Sequence, residues 1–322
     1  MCRVVSLNEI QAIINQLDAT EAIEQGFVAY SNHQVVVPPV GELLFEDPPG
    51  DTHIKYGYIK GQETYVIKIA SGFYQNPGLG LSSSSGLMLV FSQKTGMLQT
   101  ILLDEGYLTN VRTALAGRIA AKYLQPQLVE AIGVLGTGIQ ARMQVSFLQA
   151  VTDCRKVHAW GRTPEHAALY LQDLQDEGFE VVLEETPAQV AAAANLIVST
   201  TPSSTPLLQA GDVRPGTLIT AVGSDTPGKQ ELDPGILGKA DVLVADSLSQ
   251  CRERGEISRA LAAGAIAEEG ILELGWVIQE PGLAVLGEDS LCVVDLTGVA
   301  VQDVQIASAV CAALDCSVHL SS

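Results

Sequence analysis

The sequence has few basic residues and no long apolar run. It contains 18 lysines and arginines against 37 aspartates and glutamates, which gives a formal net charge of −19. An acidic surface repels nucleic-acid phosphates and anionic lipid headgroups, so we expect neither a nucleic acid nor a membrane as a partner. No apolar stretch reaches the roughly 20 residues that a membrane-spanning helix needs, and the start MCRVVSLNEI does not resemble a signal peptide.

The sequence also lacks any cysteine spacing that indicates a metal site or a disulfide framework. None of its six cysteines lies in a CxxC pair or in a zinc-binding pattern. In a chain of 322 residues, such cysteines are typical of free or buried thiols in a reducing compartment. We therefore expect a cytoplasmic protein without a metal site.

The sequence does contain enough apolar residues, 47%, for two domains of about 150 residues each. Residues 35–103 form short β-rich runs between prolines and glycines, which predicts an antiparallel sheet, and a helix is predicted over 109–124. From about residue 129 strands and helices alternate, which predicts an α/β fold with a Rossmann-type, doubly wound parallel sheet. The predicted boundaries are 1–118, completed by a C-terminal helix in 300–322, for an α+β domain and 119–299 for the Rossmann-type domain.

The stretch GVLGTGIQA carries a candidate dinucleotide-binding turn between a predicted strand and a predicted helix. Gly136 allows the tight turn, Gly138 lets the backbone approach a pyrophosphate, and Ala141 keeps the helix close to the sheet. The helix N-terminus adds N–H donors and positive potential. Such glycines also occur in ordinary strand-to-helix turns, but the later strand–helix units are in place here. We therefore predict a nicotinamide dinucleotide site that includes Thr137.

Residues after the following strands indicate how the rest of that cofactor is held. The second strand ends in WGRT, without the acidic residue that holds an NAD ribose, so Arg162 and Thr163 are predicted to accept the 2′-phosphate of NADP(H). NAD(H) is the alternative, with Arg162 as a solvated surface charge. TTPSSTP follows another strand, at the edge where ribose and nicotinamide lie, and it also fits a plain turn. The remaining predicted cofactor contacts are Thr200, Thr201, Val222 and Thr297.

Two lysines are predicted to face each other on one hairpin. THIKYGYIKGQETYVIKIA fits a hairpin closed at Gly61-Gln62, and counting outward places Lys55 opposite Lys68. Like charges at such positions destabilise a sheet. The pair therefore favours an anion between the two ammonium groups, unless both of them point into solvent.

Arg112 and Asp225 are charged residues at positions that need an explanation. Arg112 lies near the start of an otherwise apolar helix, where its charge opposes the helix dipole. A bound carboxylate would explain it, and so would an ion pair with Asp104 or Glu105. Asp225, in VGSDTPGKQELD, follows the buried strand TLITA, where either a turn or a ligand crevice is expected.

Together, these stretches resemble the ornithine cyclodeaminase/mu-crystallin family. The resemblance runs along nearly the whole chain and rests on YVIKIASGFYQNP, LLDEGYLTNVRTALAG, GVLGTGIQA, AVGSDTPGKQELDP and DLTGVAVQD. It implies a Rossmann domain plus a substrate domain that is split between the N-terminal half and the C-terminal helix. That substrate domain is implied to carry the interface of a homodimer, with antiparallel sheets meeting across it.

The resemblance also implies roles for individual residues. Lys68 is implied to contact the substrate carboxylate or imine, and Arg112 to hold the carboxylate. Asp225 is implied to exchange a proton with the substrate amine or imine, as a general acid or base. These roles make Asp225 and Lys68 the predicted catalytic residues.

One departure from the family pattern bears on the substrate. Cyclodeaminase members carry a further basic residue near VVVPPVGELLF, where this chain has Val40 or Gly41, and Lys55 is predicted to replace that charge. We therefore predict an NAD(P)-dependent imino-acid reductase or amino-acid dehydrogenase that acts on a small amino or imino acid. The alternatives are a cyclodeaminase, which converts a diamino acid such as ornithine to a cyclic product with release of ammonia, and a ligand-binding protein like mu-crystallin.

Overall fold

The chain divides into two compact units in a computed structural model. Unit 1 comprises Met1–Arg112 and Val299–Ser322, and unit 2 comprises Thr113–Gly298. The structure describes residues 2–73 and 75–320, with side chains up to residue 316 in the last helix.

The described residues form fifteen strands and eleven α-helices. The strands are β1 (Arg3–Val5), β2 (Val35–Val36), β3 (Gly41–Glu46), β4 (Pro49–Ile59), β5 (Thr64–Phe73), β6 (Ser84–Ser92), β7 (Leu98–Leu102), β8 (Ile132–Leu135), β9 (Lys156–Trp160), β10 (Glu180–Leu183), β11 (Leu196–Ser199), β12 (Leu218–Ala221), β13 (Val242–Ala245), β14 (Leu272–Glu273) and β15 (Cys292–Asp295). The helices are α1 (Leu7–Ile14), α2 (Thr20–Ser31), α3 (Tyr107–Leu124), α4 (Ile139–Leu148), α5 (Pro164–Asp176), α6 (Pro187–Ala193), α7 (Pro234–Lys239), α8 (Leu248–Cys251), α9 (Gly255–Ala262), α10 (Leu274–Gln279) and α11 (Ala300–Leu320). No helix in the described ranges combines the length and the hydropathy needed to cross a membrane.

Unit 1 is built on a mainly antiparallel sheet with the strand order β1-β7-β6-β5-β4-β2, and β3 also pairs with β4. The predicted antiparallel sheet is therefore confirmed. The short strand β1, which sequence reasoning missed, runs parallel to β7 at the edge of the sheet. Helix α11 packs against α2, β4 and β5 within this unit, so the C-terminal helix returns to the N-terminal part of the chain as predicted.

The β4–β5 hairpin has the predicted register. Lys55 pairs with Lys68, and Tyr58 pairs with Tyr65 next to the turn. The turn itself differs in detail, because its hydrogen bond runs from the Gln62 N–H to the Ile59 carbonyl and Gly61 adopts a φ of +84°. Gly61 is thus the residue that the turn requires to be glycine.

Unit 2 is built on a parallel sheet with the order β10-β9-β8-β11-β12-β15-β13-β14. Its central strands β8, β11, β12 and β15 are buried at every position, as the continuous apolar runs predicted. The core between sheet and helices includes Leu135, Ile197, Ile219 and Val293. The predicted Rossmann-type fold is therefore confirmed, and the carboxyl ends of the central strands lie along one edge of the sheet.

Candidate active site

The turn between β8 and α4 has the geometry of a dinucleotide cradle. Gly136 has a φ of +112°, and a Cβ at this position would lie 2.6 Å from Oγ1 of Thr200, so only glycine fits without strain. Gly138 is the N-cap of α4 and supplies no side chain to cap the helix. A Cβ on Gly138 would meet no atom within 4 Å, which leaves the helix N-terminus open to a ligand. Ala141, on α4, is fully buried.

The cradle fits the diphosphate of a nicotinamide dinucleotide. The open N–H groups at the start of α4 and the positive end of its dipole attract an anion. Arg142 stabilises the turn, because its guanidinium donates hydrogen bonds to the carbonyls of Thr137 and Gly138. The same guanidinium pairs with Asp173 at 2.6 Å. These contacts hold the backbone of the turn, including Gly138, in a defined conformation within unit 2.

Arg162 and Thr163 follow β9, the strand next to β8. Arg162 is exposed, and it makes no hydrogen bond or ion pair with the residues that the structure describes. Thr163 is the N-cap of α5, and its side chain makes no capping hydrogen bond. Both side chains are therefore available to a ligand at this end of the sheet.

Glu231 joins the loops that follow β11 and β12, and sequence reasoning missed it. Its Oε1 accepts hydrogen bonds from the Thr201 N–H at 2.6 Å and the Thr201 hydroxyl at 2.7 Å. Its Oε2 accepts from the Ser199 hydroxyl at 2.8 Å and from the Gly223 N–H at 2.9 Å. The residue is fully buried, and burial raises its pKa from the ordinary value of 4.5 to about 7. One carboxyl group thus holds two strand ends together.

The loop held by Glu231 carries Asp225. The loop begins at Val222, which is 8% exposed. The Asp225 side chain is half exposed, and its Oδ1 accepts a hydrogen bond from Nζ of Lys229 at 2.6 Å. The backbone carbonyl of Asp225 also accepts a long hydrogen bond, 3.5 Å, from Nη1 of Arg254. Asp225 is therefore an accessible carboxylate at the carboxyl edge of the parallel sheet, with a cation beside it.

Further buried carboxyl groups lie at the neighbouring strand ends. Glu256 accepts hydrogen bonds from the Ser224 hydroxyl and from the N–H groups of Glu231 and Leu232. Asp295, at the end of β15, accepts from the Ile257 N–H. Burial raises the pKa of both carboxyl groups. These carboxyl groups anchor the strand-end loops through backbone donors.

Thr297 and Thr200 are less open to a cofactor than Gly138. The Thr297 hydroxyl donates to Asp246 at 2.9 Å and accepts from Gln250 at 2.8 Å, and the residue is 1% exposed. Thr200 donates from its N–H and its hydroxyl to the Leu135 carbonyl, at 2.9 and 3.2 Å. Both threonines thus tie the strand ends to one another.

Unit 1 contains a buried cluster of charged and polar side chains, which we call the cation cluster: Lys55, Lys68, Asp104, Arg112, Gln302 and Asp303. Nζ of Lys68 lies 3.1 Å from Oδ1 and 3.0 Å from Oδ2 of Asp303. Nε of Arg112 lies 3.2 Å from the same Oδ1, and its Nη1 donates to Oε1 of Gln302 at 2.8 Å. The structure thus brings the two predicted substrate-binding cations together on one carboxylate.

The structure excludes two alternatives that the sequence left open for this cluster. Lys55 and Lys68 do not point into solvent, because they are 8% and 2% exposed. Arg112 is paired with Asp303 of α11, not with Asp104 or Glu105. Asp104 instead caps α3, where its Oδ2 accepts from the Leu108 N–H at 2.9 Å. Spacing along the chain favoured an acidic residue near Arg112, but the fold supplies one from the far end of the sequence.

The cation cluster also contains buried polar atoms without a hydrogen-bond partner in the structure. They are Oδ1 of Asp104, Nε of Arg112, Nε2 of Gln302 and Oδ2 of Asp303. The contacts of Arg112 Nε and Asp303 Oδ2 are therefore ion-pair contacts without hydrogen-bond geometry. Buried polar atoms are normally satisfied, so four unsatisfied ones in one cluster need an explanation, which a polar ligand or ordered water would supply. The donors and acceptors suit a small polar ligand with a carboxylate.

Electrostatics in this cluster are set mainly by burial. Burial lowers the pKa of Lys68, the carboxylate of Asp303 opposes that shift, and the charge of Arg112 adds to it. Burial raises the pKa of Asp104. A buried ammonium group beside a guanidinium therefore depends on its carboxylate neighbour to stay charged.

Comparison with known proteins gives consistent relatives over the whole chain. An uncharacterized cyclodeaminase of Sinorhizobium fredii is 38% identical over 310 residues, 95% of this chain and 94% of that protein. The solved structure of an archaeal alanine dehydrogenase dimer with bound NAD is 31% identical, covers 96% of this chain and 94% of its own, and superimposes with a TM-score of 0.86.

A second solved structure is equally similar in fold. The iminosuccinate reductase of Paracoccus denitrificans in complex with NAD⁺ is 30% identical, covers 98% of this chain and 97% of its own, and has a TM-score of 0.86. The model of the ornithine cyclodeaminase/mu-crystallin family matches residues 2–315. The resemblance predicted from the sequence is thereby confirmed, and the chain belongs to the ornithine cyclodeaminase/mu-crystallin family.

Proposed function

We propose that this protein is an NAD(P)-dependent oxidoreductase that transfers a hydride between nicotinamide and the α-carbon of a small imino or amino acid. Its preferred activity is that of an imino-acid reductase or amino-acid dehydrogenase. The observation that carries the proposal is the cation cluster, in which Lys68 and Arg112 share Asp303 among buried, unsatisfied polar atoms. Two relatives whose names describe these activities, an alanine dehydrogenase and an iminosuccinate reductase, support it.

The residues have distinct roles in the proposed reaction. A bound nicotinamide supplies or accepts the hydride at the α-carbon. Arg112 and Lys68 bind the substrate carboxylate, the first through its planar guanidinium and the second through its ammonium group. Asp225 gives a proton to the imine nitrogen, or takes one from the amine, and its half-exposed side chain at the carboxyl edge of the parallel sheet suits a group that exchanges protons. Lys55 adds positive charge opposite Lys68.

The cofactor proposal favours NADP(H). Arg162 follows β9 where an NAD enzyme usually carries an acidic residue, and its side chain is exposed. The solved relatives contain NAD or NAD⁺, so NAD(H) is the alternative. The cradle at Gly136 and Gly138 serves either cofactor, because it contacts the diphosphate that both share.

A homodimer in the cytoplasm completes the proposal. The archaeal alanine dehydrogenase is described as a dimer. In unit 1 of this chain, Leu43, Leu44 and Phe45 of β3 are 55%, 76% and 43% exposed, and such an apolar edge is typical of an interface between subunits. All six cysteines, which the structure describes, are free thiols, which supports a reducing compartment.

A cyclodeaminase is the second candidate. The cyclodeaminase from Sinorhizobium fredii, at 38% identity, favours it. In that reaction the α-carbon first gives its hydride to the cofactor and the α-amine becomes an imine, the substrate's own distal amine attacks it and ammonia leaves, and the hydride returns to the resulting cyclic imine. Val40 argues against it, because the family's further basic residue is absent from this part of the chain.

The decisive assay follows absorbance at 340 nm with NADPH and, separately, with NADH. The substrates are cyclic imino acids, and keto acids with an amine. Consumption of the reduced cofactor supports the reductase. Ammonia release from a diamino acid with catalytic NAD⁺, and no consumption of reduced cofactor, supports the cyclodeaminase instead. If no reduced cofactor is consumed and no ammonia is released, the proposal is contradicted and a ligand-binding protein is favoured.

A variant separates chemistry from binding. We expect Asp225→Asn to lower turnover by about 100-fold or more, since general acid–base catalysis contributes roughly 10²–10⁴-fold. The dissociation constant of the cofactor should change little, because Asp225 is assigned no contact with it. Unchanged turnover would contradict the role of Asp225.

A further inference from the structure

Among the residues that the structure describes, Asp303 is the one carboxylate that contacts both Lys68 and Arg112. Its Oδ1 lies 3.1 Å from Nζ of Lys68 and 3.2 Å from Nε of Arg112, and its Oδ2 lies 3.0 Å from the same Nζ. It is 1% exposed, so water screens these contacts little. The ammonium and guanidinium groups are thus held at neighbouring positions by a single carboxylate.

We propose that Asp303 is a positioning residue, which holds Lys68 and Arg112 side by side, as cations, for the carboxylate of the substrate. The substrate part of this inference rests on the proposed function. Asp303 itself makes no contact with the reacting atoms in this proposal, and it acts through the two cations.

The groups around Lys68 leave Asp303 as its main counter-charge. Arg112 on α3 adds a second positive charge, and Lys55 faces Lys68 from β4. On the other side Lys68 pairs with the apolar Met88 of β6. Asp104 contributes a weaker favourable interaction than Asp303. Without Asp303, burial and the charge of Arg112 would both favour the neutral amine of Lys68.

The position of Asp303 on α11 also fixes the orientation of Arg112. The adjacent residue, Gln302, accepts a hydrogen bond from Nη1 of Arg112 at 2.8 Å. Two successive residues in the first turn of one helix therefore contact two different nitrogens of the same guanidinium. A planar group held at two points is oriented as well as located, so the substrate meets a preset arrangement of donors.

The first experiment measures the protonation of Lys68 directly and needs no substrate. Lysine is labelled with ¹³C, the Lys68 signal is assigned with Lys68→Arg, and its pH titration is recorded in the wild type and in Asp303→Asn. We expect the midpoint to fall by about one pH unit or more in Asp303→Asn, because an opposite charge within about 4–6 Å shifts a pKa by roughly 1–3 units. An unchanged midpoint would overturn the proposal.

The second experiment measures kinetics with the substrate identified at 340 nm. We expect Asp303→Asn to raise the KM for the substrate by about tenfold or more, which corresponds to one unit of pKa, while the dissociation constant of the cofactor stays unchanged. The alkaline limb of the kcat/KM profile should move to lower pH. In the Lys68→Arg background, Asp303→Asn should no longer move that limb, because a guanidinium does not deprotonate.

Controls separate positioning from general damage. Asp315→Asn makes the same change at an exposed site of the same helix and should leave both the titration and the KM unchanged. Asp303→Glu retains the charge and should restore the Lys68 midpoint toward the wild-type value, which loss of folding could not mimic. A lower midpoint with an unchanged KM would overturn the positioning role. If the wild type turns over no substrate, the proposed function fails, while the titration still decides whether Asp303 keeps Lys68 charged.

Discussion

Replacing Glu231 with glutamine should change how the stability of unit 2 depends on pH. In the native protein, burial raises the pKa of this carboxyl group from 4.5 to about 7, so the folded state binds the proton more tightly than the unfolded state does. The corresponding stabilisation is complete below pH 4.5 and is lost as the pH rises through about 7. Glutamine has no titrating proton and therefore lacks this dependence.

The size of the effect follows from the shift. The rise of the Glu231 pKa from 4.5 to about 7 corresponds to about 3 kcal/mol of unfolding free energy, most of which is lost between pH 5 and pH 8. For a unit of 150–250 residues, each kcal/mol moves the Tm by about 2–4 °C. The Tm of the wild type, measured relative to Glu231→Gln, should therefore fall by about 5–10 °C over this range. Glu256, the neighbouring carboxyl group, is present in both proteins.

Tryptophan fluorescence during heating is the appropriate assay. Both tryptophans of the chain, Trp160 and Trp276, lie in unit 2, so their signal reports its unfolding. Thr217→Val is a control, because it changes a buried hydroxyl without a hydrogen-bond partner and adds or removes no titrating group. Its Tm difference from the wild type should be the same at every pH. A pH-independent difference between the wild type and Glu231→Gln would refute the reasoning.

Three further predictions address the cofactor and the subunit interface. Gly138→Val should leave the Tm within about 2 °C, as expected away from packed features, because its Cβ meets open space. The same substitution should weaken cofactor binding about tenfold or more by blocking the diphosphate. Calorimetric titration with NADPH measures this affinity, and an unchanged affinity would contradict the assignment of Gly138 to the diphosphate. Arg162→Ser should raise the KM for NADPH and leave that for NADH unchanged, and an equal change in both would contradict the assignment of Arg162 to the 2′-phosphate. Leu44→Asp should shift the protein from dimer to monomer in size-exclusion chromatography with light scattering, because it places a charge on the exposed apolar strand β3; a dimer that persists at micromolar concentration would place the interface elsewhere.

Local patterns in the sequence predicted most of the fold. Continuous apolar runs predicted the buried parallel strands, and the turn at Gly136 was recognisable because it needs glycine for steric reasons. Counting from the hairpin turn also predicted that Lys55 pairs with Lys68, since the period of a strand is two residues. The two-residue periodicity does not report burial, so the alternative of solvent-exposed lysines was decided only by the structure.

Contacts between distant residues could not be predicted in the same way. Asp303 reaches Arg112 because α11 packs in unit 1, and nothing in the spacing around Arg112 points to that helix. Glu231 lies within the quoted motif AVGSDTPGKQELDP, but its pattern there is that of any polar loop residue. At Asp303 the available signal was a charged residue after the apolar stretch of GVAVQD, which favours burial with a partner but does not identify the partner.

The discontinuity of unit 1 has a consequence for how the protein is made on the ribosome. Lys68 and Arg112 are synthesised before all of unit 2, whereas Asp303 follows it. The nascent unit 1 therefore holds two cations without the carboxylate that neutralises them, and its sheet lacks the helix that covers β4 and β5. Domains generally fold as they emerge, so unit 2 can complete its sheet first. The first 112 residues complete unit 1 only after α11 has been synthesised. A chain that is released after residue 298 should have a unit 2 that is protected from protease and a unit 1 that is open to cleavage.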